Sequence, residues 1–327
     1  MKHFLPVLTL IAGVLVFGCA EQNAKGDDRS ADILEAKPEE INVTDDGVRY
    51  LVHPNKIRSG GPPKDGIPSI DNPEFVSVEE ADQWLGDDEL VMAIIHKGIK
   101  RVYPHQILVW HEIVNDTIAE DPLLITYCPL CGSGIAFERL IDGEAVEFGT
   151  SGRLYNSNLI MYDRKTETYW TQIEGKAVVG PLTGSRLQAV SVDTMPWKVW
   201  KKNHPDSEVL SRDTGHGRQY GVDPYGNYYT SGSLIFPVEN EDSRVHPKTV
   251  IFGIEVDGKY KAYLETDLDD LGTIEDSLGG VKLRVTRDSA GIVRFTDTKT
   301  GREIVKDRDF WFAWYAFHPD TLVYENQ

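Results

Sequence analysis

Cys128 and Cys131, with two residues between them, carry the strongest chemical signal in the sequence. Thiolates at that spacing can grip one soft ion, copper(I) or zinc, and Pro129 and Gly132 tighten the turn between them. A structural zinc site needs four ligands. No second cysteine pair exists, so a histidine such as His111 or His105, or a carboxylate, would have to complete the set. A strand running into Cys-x-x-Cys is also the layout of a thiol–disulfide redox site, where a following helix lowers a thiol pKa. Here the next residues, Ser133 to Arg139, are poor in helix periodicity and lead into another strand. A structural disulfide closing a tight loop is the third reading. Metal pair, redox pair and structural bridge all stand open at this point.

Two further constellations carry polar chemistry. In Trp110 to Asp116, His111 beside Glu112 and Asp116 could bind metal or move protons, or could simply end a helix; the spacing is not that of zinc proteases. From Phe148 to Arg164, the residues Arg153, Asn156, Asn158, Asp163 and Arg164 form a dense hydrogen-bonding set. They could line a polar pocket or build a buried salt-bridge network, with Asp163 and Arg164 pinning a hairpin. Ser133 lacks the flanking spacing of a nucleophile elbow, and there is neither a phosphate loop nor a dinucleotide fingerprint.

The elements that must position these residues are mostly short strands. Leu90 to Ile95 and Ile99 to Tyr103 flank Lys97-Gly98, the pattern of a hairpin. Val78 to Leu85 and His105 to Val114 read as helices, the second with Pro104 at its start. If that second helix packs antiparallel to the apolar strand Leu123 to Tyr127, His105 lies nearer Cys128 than His111 does. Ser59 to Pro68 is too rich in Gly and Pro for regular structure. The class expected is mainly β, or α+β: many short antiparallel strands with a few short helices.

The N-terminus has the layout of an exported lipoprotein. Lys2 precedes an apolar run from Phe4 to Phe17, too short to span a membrane and suited to a signal peptide. Val16 and Gly18 before Cys19 resemble a lipobox, which implies lipid on Cys19 and cleavage before it. The expected division is 1–18 signal peptide, 19–46 flexible tether and 47–327 globular domain. Such an anchor places the chain in the cell envelope. It would face the periplasm from the outer membrane where two membranes exist, and otherwise sit on the outer face of the cell membrane. The formal charge of −18 argues against nucleic acid and against close docking to anionic lipid beyond the anchor.

The chain also echoes itself. Met195 to Ser207 and Phe310 to Thr321 share Trp, Trp, His, Pro, Asp and a hydroxyl residue at one spacing. Val91 to Pro104 and Val250 to Leu264 both read strand, Gly turn, strand, Tyr. The matches keep their order, as expected for two diverged copies of one unit, about 75–210 and 230–327.

Several strings together resemble a known family: Gly66 to Pro73, Trp110 to Asp116, Tyr127-Cys-Pro-Leu-Cys-Gly132, Phe148 to Asn158 and Met161-Tyr-Asp-Arg164. They are similar to the bacterial and archaeal family catalogued as domain of unknown function 3179, over roughly residues 55 to 327. That resemblance implies no established substrate or cofactor. The functions expected from the residues are therefore a soft-metal protein or metalloenzyme, a thiol–disulfide oxidoreductase, or a non-enzymatic surface scaffold. The partner, protein or small molecule, is left unspecified by the sequence.

Overall fold

The hairpin expected around Lys97-Gly98 forms between strands Leu90–His96 and Ile99–Pro104, with His96 opposite Ile99. Both loop residues have positive φ, 48° at Lys97 and 84° at Gly98, the paired left-handed turn whose twist matches that of the strands. The computed structural model describes Met1, Leu34–Glu35 and residues 41–325. The expected signal peptide beyond Met1, the Cys19 lipidation site and most of the tether lie outside these residues. Within the expected tether, Leu34–Glu35 and Asn42–Val43 instead pair as short strands with Ser185–Arg186 and Arg49–Tyr50. Backbone pairing of two residues asks little of side-chain composition, so a polar sequence does not forbid it.

The protein is mainly β, built from several small and largely antiparallel sheets with five short helices among the described residues. Helix α1 (Val78–Ala81) starts on a capping box in which Ser77 and Glu80 satisfy each other's backbone. It is shorter than the sequence reading, because the chain tightens after Ala81: Trp84 N bonds Ala81 O three residues back, and Leu85 is buried. Helix α2 (His105–His111) also ends early. Glu112 takes a left-handed conformation, φ 59°, and the β-branched pair Ile113 and Val114 opens strand Ile113–Ile118 instead of continuing the helix.

That strand, with Asp121–Cys128, Ser133–Glu138 and Ala189–Val190, makes a four-stranded sheet. Asp121–Cys128 is an inner strand, flanked by Ile113–Ile118 and Ser133–Glu138, so its end is held on both edges. A larger sheet runs through Phe148–Tyr155, Asn158–Asp163, Tyr169–Thr171 and Lys176–Val179. Leu124, Ile135 and Phe137 of the first sheet share one core with Phe148, Leu159, Met161 and Trp170 of the second. Burying those rings and branched chains contributes about 1.5–3 kcal/mol each.

Two outer sheets have matching layouts. In one, hairpin Leu90–His96/Ile99–Pro104 is flanked by Asp193–Pro196 and, in parallel, by Glu208–Leu210. In the other, hairpin Val250–Val256/Lys259–Leu264 is flanked by Lys306–Phe310 and, in parallel, by Leu322–Val323. Helices α3 (Trp197–Asn203) and α5 (Trp311–Phe317) follow the corresponding flanking strands; α4 (Glu265–Leu271) follows the second hairpin as α2 follows the first. Trp200 Nε1 donates to Ser207 Oγ at 2.9 Å and Trp314 Nε1 to Thr321 Oγ1 at 2.9 Å. Tyr103 donates to Asp116 at 2.6 Å and Tyr263 to Asp276 at 2.8 Å.

Candidate dithiol site

The Cys-Pro-Leu-Cys turn is the connection between two paired strands. Asp121–Cys128 ends at the first cysteine, Pro129–Cys131 makes one 3-10 turn, and Ser133 pairs back across to Cys128. Proline at the first turn position costs no hydrogen bond there. Gly132 closes the turn at φ 60°, and a Cβ at this position would stand 2.9 Å from Phe310 Cζ. Glycine is therefore required twice, by the backbone and by the ring packed on it.

Both thiols are buried, and the sulfurs are 3.0 Å apart. The carbonyl of Ser157 faces both, at 3.9 Å from Cys128 Sγ and 3.5 Å from Cys131 Sγ. Asn158 Nδ2 reaches Cys131 Sγ at 3.4 Å. The same amide donates to Gln172 Oε1 at 2.8 Å, and its oxygen accepts from Ile173 N at 3.1 Å. Gln172 Nε2 in turn donates to Thr126 Oγ1 at 3.0 Å. Tyr228 donates to the Leu130 carbonyl at 3.0 Å and so fixes the turn from above. Burial holds the Cys131 thiol well above its ordinary pKa, the neighbouring Cys128 adds to this, and the Asn158 amide opposes it.

The second half of the chain contributes a carboxyl to this region. Asp309, on strand Lys306–Phe310, is fully buried with no hydrogen bond on either oxygen, and burial raises its pKa to about 7. The Ser133 side chain favours its charged form without completing a hydrogen bond of ordinary geometry.

The two candidate histidines have different surroundings. His105 packs its ring on Tyr127, the residue before Cys128, with centroids 4.3 Å apart. Its Nε2 is buried without a hydrogen-bond partner, and burial lowers its pKa to about 3. His111 is committed elsewhere: Nδ1 donates to the Pro68 carbonyl at 2.7 Å and Nε2 accepts from the Tyr220 hydroxyl at 2.6 Å. Burial lowers its pKa to about 4. Among the described residues, no group of three or more His, Cys, Asp or Glu side chains stands close enough to hold a metal.

The polar set from 153 to 164 divides in the same way. Asn158 alone among them touches a sulfur. Asn156 bonds the Ala316 carbonyl and Glu239 N, clamping the chain that crosses between the two halves. Asp163 caps a turn through Thr166 and accepts from Trp170 Nε1 at 3.0 Å. Arg164 joins Asp71 at 2.6 Å and Glu147 at 2.7 Å, while Arg153 is exposed. Sequence reasoning missed Asp309 and Tyr228, and carried Gln172 only in the string Trp170-Thr171-Gln172 that follows the polar set. The dense run Tyr225, Tyr228 and Tyr229 was the available signal for Tyr228; nothing local marked Asp309.

Fold and site together define a mainly-β protein with a buried dithiol closed over by its second half. The chain belongs to the family described as "Protein of unknown function (DUF3179)", whose sequence profile matches residues 64–321. No curated protein matches the chain, and no solved structure does.

Proposed function

We propose that the protein is a thiol–disulfide redox protein in which Cys128 and Cys131 cycle between dithiol and disulfide. The observation that carries this reading is the 3.0 Å separation of the two sulfurs in a rigid turn. About 1 Å of movement closes a bond of ordinary length. With exposures of 2% and 0%, the thiols are out of reach of a folded protein client, so the exchange partner is a small molecule. Burial raises the Cys131 pKa and disfavours the thiolate, which pushes the couple towards a more reducing potential. Equilibration with glutathione or dithiothreitol buffers, followed by mass spectrometry of trapped thiols, measures that potential. A value well below about −300 mV would make the pair a structural bridge. Stoichiometric uptake of copper or zinc by the reduced protein would favour the metal reading over this one.

The same proposal includes the envelope location, anchored by lipid on Cys19, where redox pairs persist. Labelled fatty acid should enter the wild-type chain and not Cys19→Ala. Equal labelling of both, or of neither, would overturn the anchor.

We also infer that the two outer sheets descend from one unit, about 75–210 and 230–327. The paired Trp–hydroxyl and Tyr–Asp bonds support it. On that reading Asp309 occupies the register position of Met195, since each precedes the residue opposite Leu90 or Val250.

A further inference from the structure

A cavity of about 600 Å³ lies beside the dithiol turn. Tyr127 and Gly132, which flank the Cys-Pro-Leu-Cys string, both stand in its wall, as do Phe310 and Tyr229, whose ring centroids lie 6.3 Å apart. Val109, Val222 and Val250 complete an apolar lining. The wall is thus assembled from α2, the dithiol turn, the 219–231 segment and the second outer sheet.

Arg308, the arginine in its wall, is already paired, with Glu265 at 3.2 Å. The wall carboxylates accept from neutral donors, Glu89 from Gln106 Nε2 at 2.6 Å and Asp223 from Tyr225 N at 2.8 Å. An anionic ligand would find no free counter-charge there. Two polar atoms, by contrast, have no partner at all: His105 Nε2 and the Tyr229 hydroxyl, both buried. Asp223 lies near that hydroxyl and helps raise its pKa, after burial, but makes no hydrogen bond of ordinary geometry with it. Buried polar atoms are rarely left unpaired, and each one costs about as much as a lost hydrogen bond.

We propose that this cavity binds a small neutral aromatic molecule carrying ring oxygens, a benzoquinone or its hydroquinone. Aromatic walls suit the ring, and the two orphaned atoms suit oxygens on it. Neutral imidazole serves both forms, donating to a carbonyl in one tautomer and accepting from a hydroxyl in the other. Electron exchange with the cysteines rests on the redox reading above. In that step two S–H bonds break and one S–S bond forms. Two electrons and two protons pass to the quinone oxygens, giving hydroquinone.

Tetramethyl-benzoquinone is the probe, because its fully substituted ring resists thiol addition. Titrated calorimetrically into the oxidised full-length protein, it should bind saturably at one site. His105→Phe, which keeps the ring and removes Nε2, should weaken binding by about tenfold, one hydrogen bond's worth. Val222→Trp, at an exposed wall position that tolerates bulk, should abolish binding while leaving the melting temperature unchanged. Absence of saturable binding, or binding indifferent to both changes, overturns the proposal. A separate anaerobic mixture of reduced protein and probe should yield one equivalent of hydroquinone with loss of both thiols. Binding without that oxidation would sustain the cavity and defeat the redox assignment of the cysteines.

Discussion

Asn158 donates its side-chain amide to Cys131 Sγ at 3.4 Å while its carbonyl oxygen holds Ile173 N at 3.1 Å. One side chain therefore couples the sulfur to the backbone of the neighbouring sheet. It is also the one contact of Cys131 that favours the thiolate.

Asn158→Ala should accordingly act twice. It leaves the Gln172 carbonyl oxygen and Ile173 N unpartnered in the core, a loss of about 2–4 kcal/mol. It also removes the donor to sulfur, so the thiol should titrate higher still. Urea unfolding and ultraviolet thiolate titration measure the two effects. A thiol that titrates lower in the variant would contradict this account of Cys131.

Reduction of the Cys128–Cys131 pair should destabilise the fold modestly. The loop that a disulfide closes here is very short, and loop-closure entropy gives about 2 kcal/mol. Denaturant midpoints of oxidised and reduced protein test it. A loss of 5 kcal/mol or more would mean that the bridge is needed to form the fold, not merely to trim its stability.

The pH dependence should be set by buried acids above neutrality. Burial raises the Glu112 pKa to about 8 and that of Asp309 to about 7, both above their unfolded values. Between the unfolded and folded pKa the native state binds more protons than the unfolded chain, so stability falls as pH rises. His105, His111 and His318 have folded pKa values of about 3, 4 and 3, below 6.5, so they act oppositely, losing stability as pH falls below 6.5. Stability should therefore peak near pH 6.5 and decline towards pH 8.5, by a few kcal/mol. Glu112→Gln should flatten the alkaline limb; an unchanged limb would remove Glu112 from the account.

Much of this was legible in the sequence because it is local. The Lys97-Gly98 turn, the strand into Cys128 and the placement of His105 beside that strand all follow from short-range pattern. Helix α2 was read too long because Glu112 leaves the helical conformation at a residue with no glycine to announce it. The polar set reads as either a pocket or a salt-bridge network, and it divides: Arg164 and Asp163 serve ion pairs and turns while Asn158 serves the sulfur. Asp309 was invisible for a different reason. Its approach to the dithiol depends on how strand Lys306–Phe310 packs nearly 180 residues away in sequence, which no local pattern encodes.

The N-terminal arm has a mechanical consequence. Arg49–Tyr50 pairs with Lys176–Val179, Arg58–Ser59 with Phe148–Tyr155, and Ile70 exchanges bonds with Ile113 and Asn115. The arm is thus laced in series across two sheets before the chain reaches the dithiol. A pull applied at residue 41 would load these lacings one after another, each acting as a sacrificial fastener. The last of them joins Ile113–Ile118, the strand beside Asp121–Cys128, so tension would reach the dithiol sheet only once the two outer lacings had parted. For a domain held by its leading end, that arrangement insulates the chemistry from drag on the body.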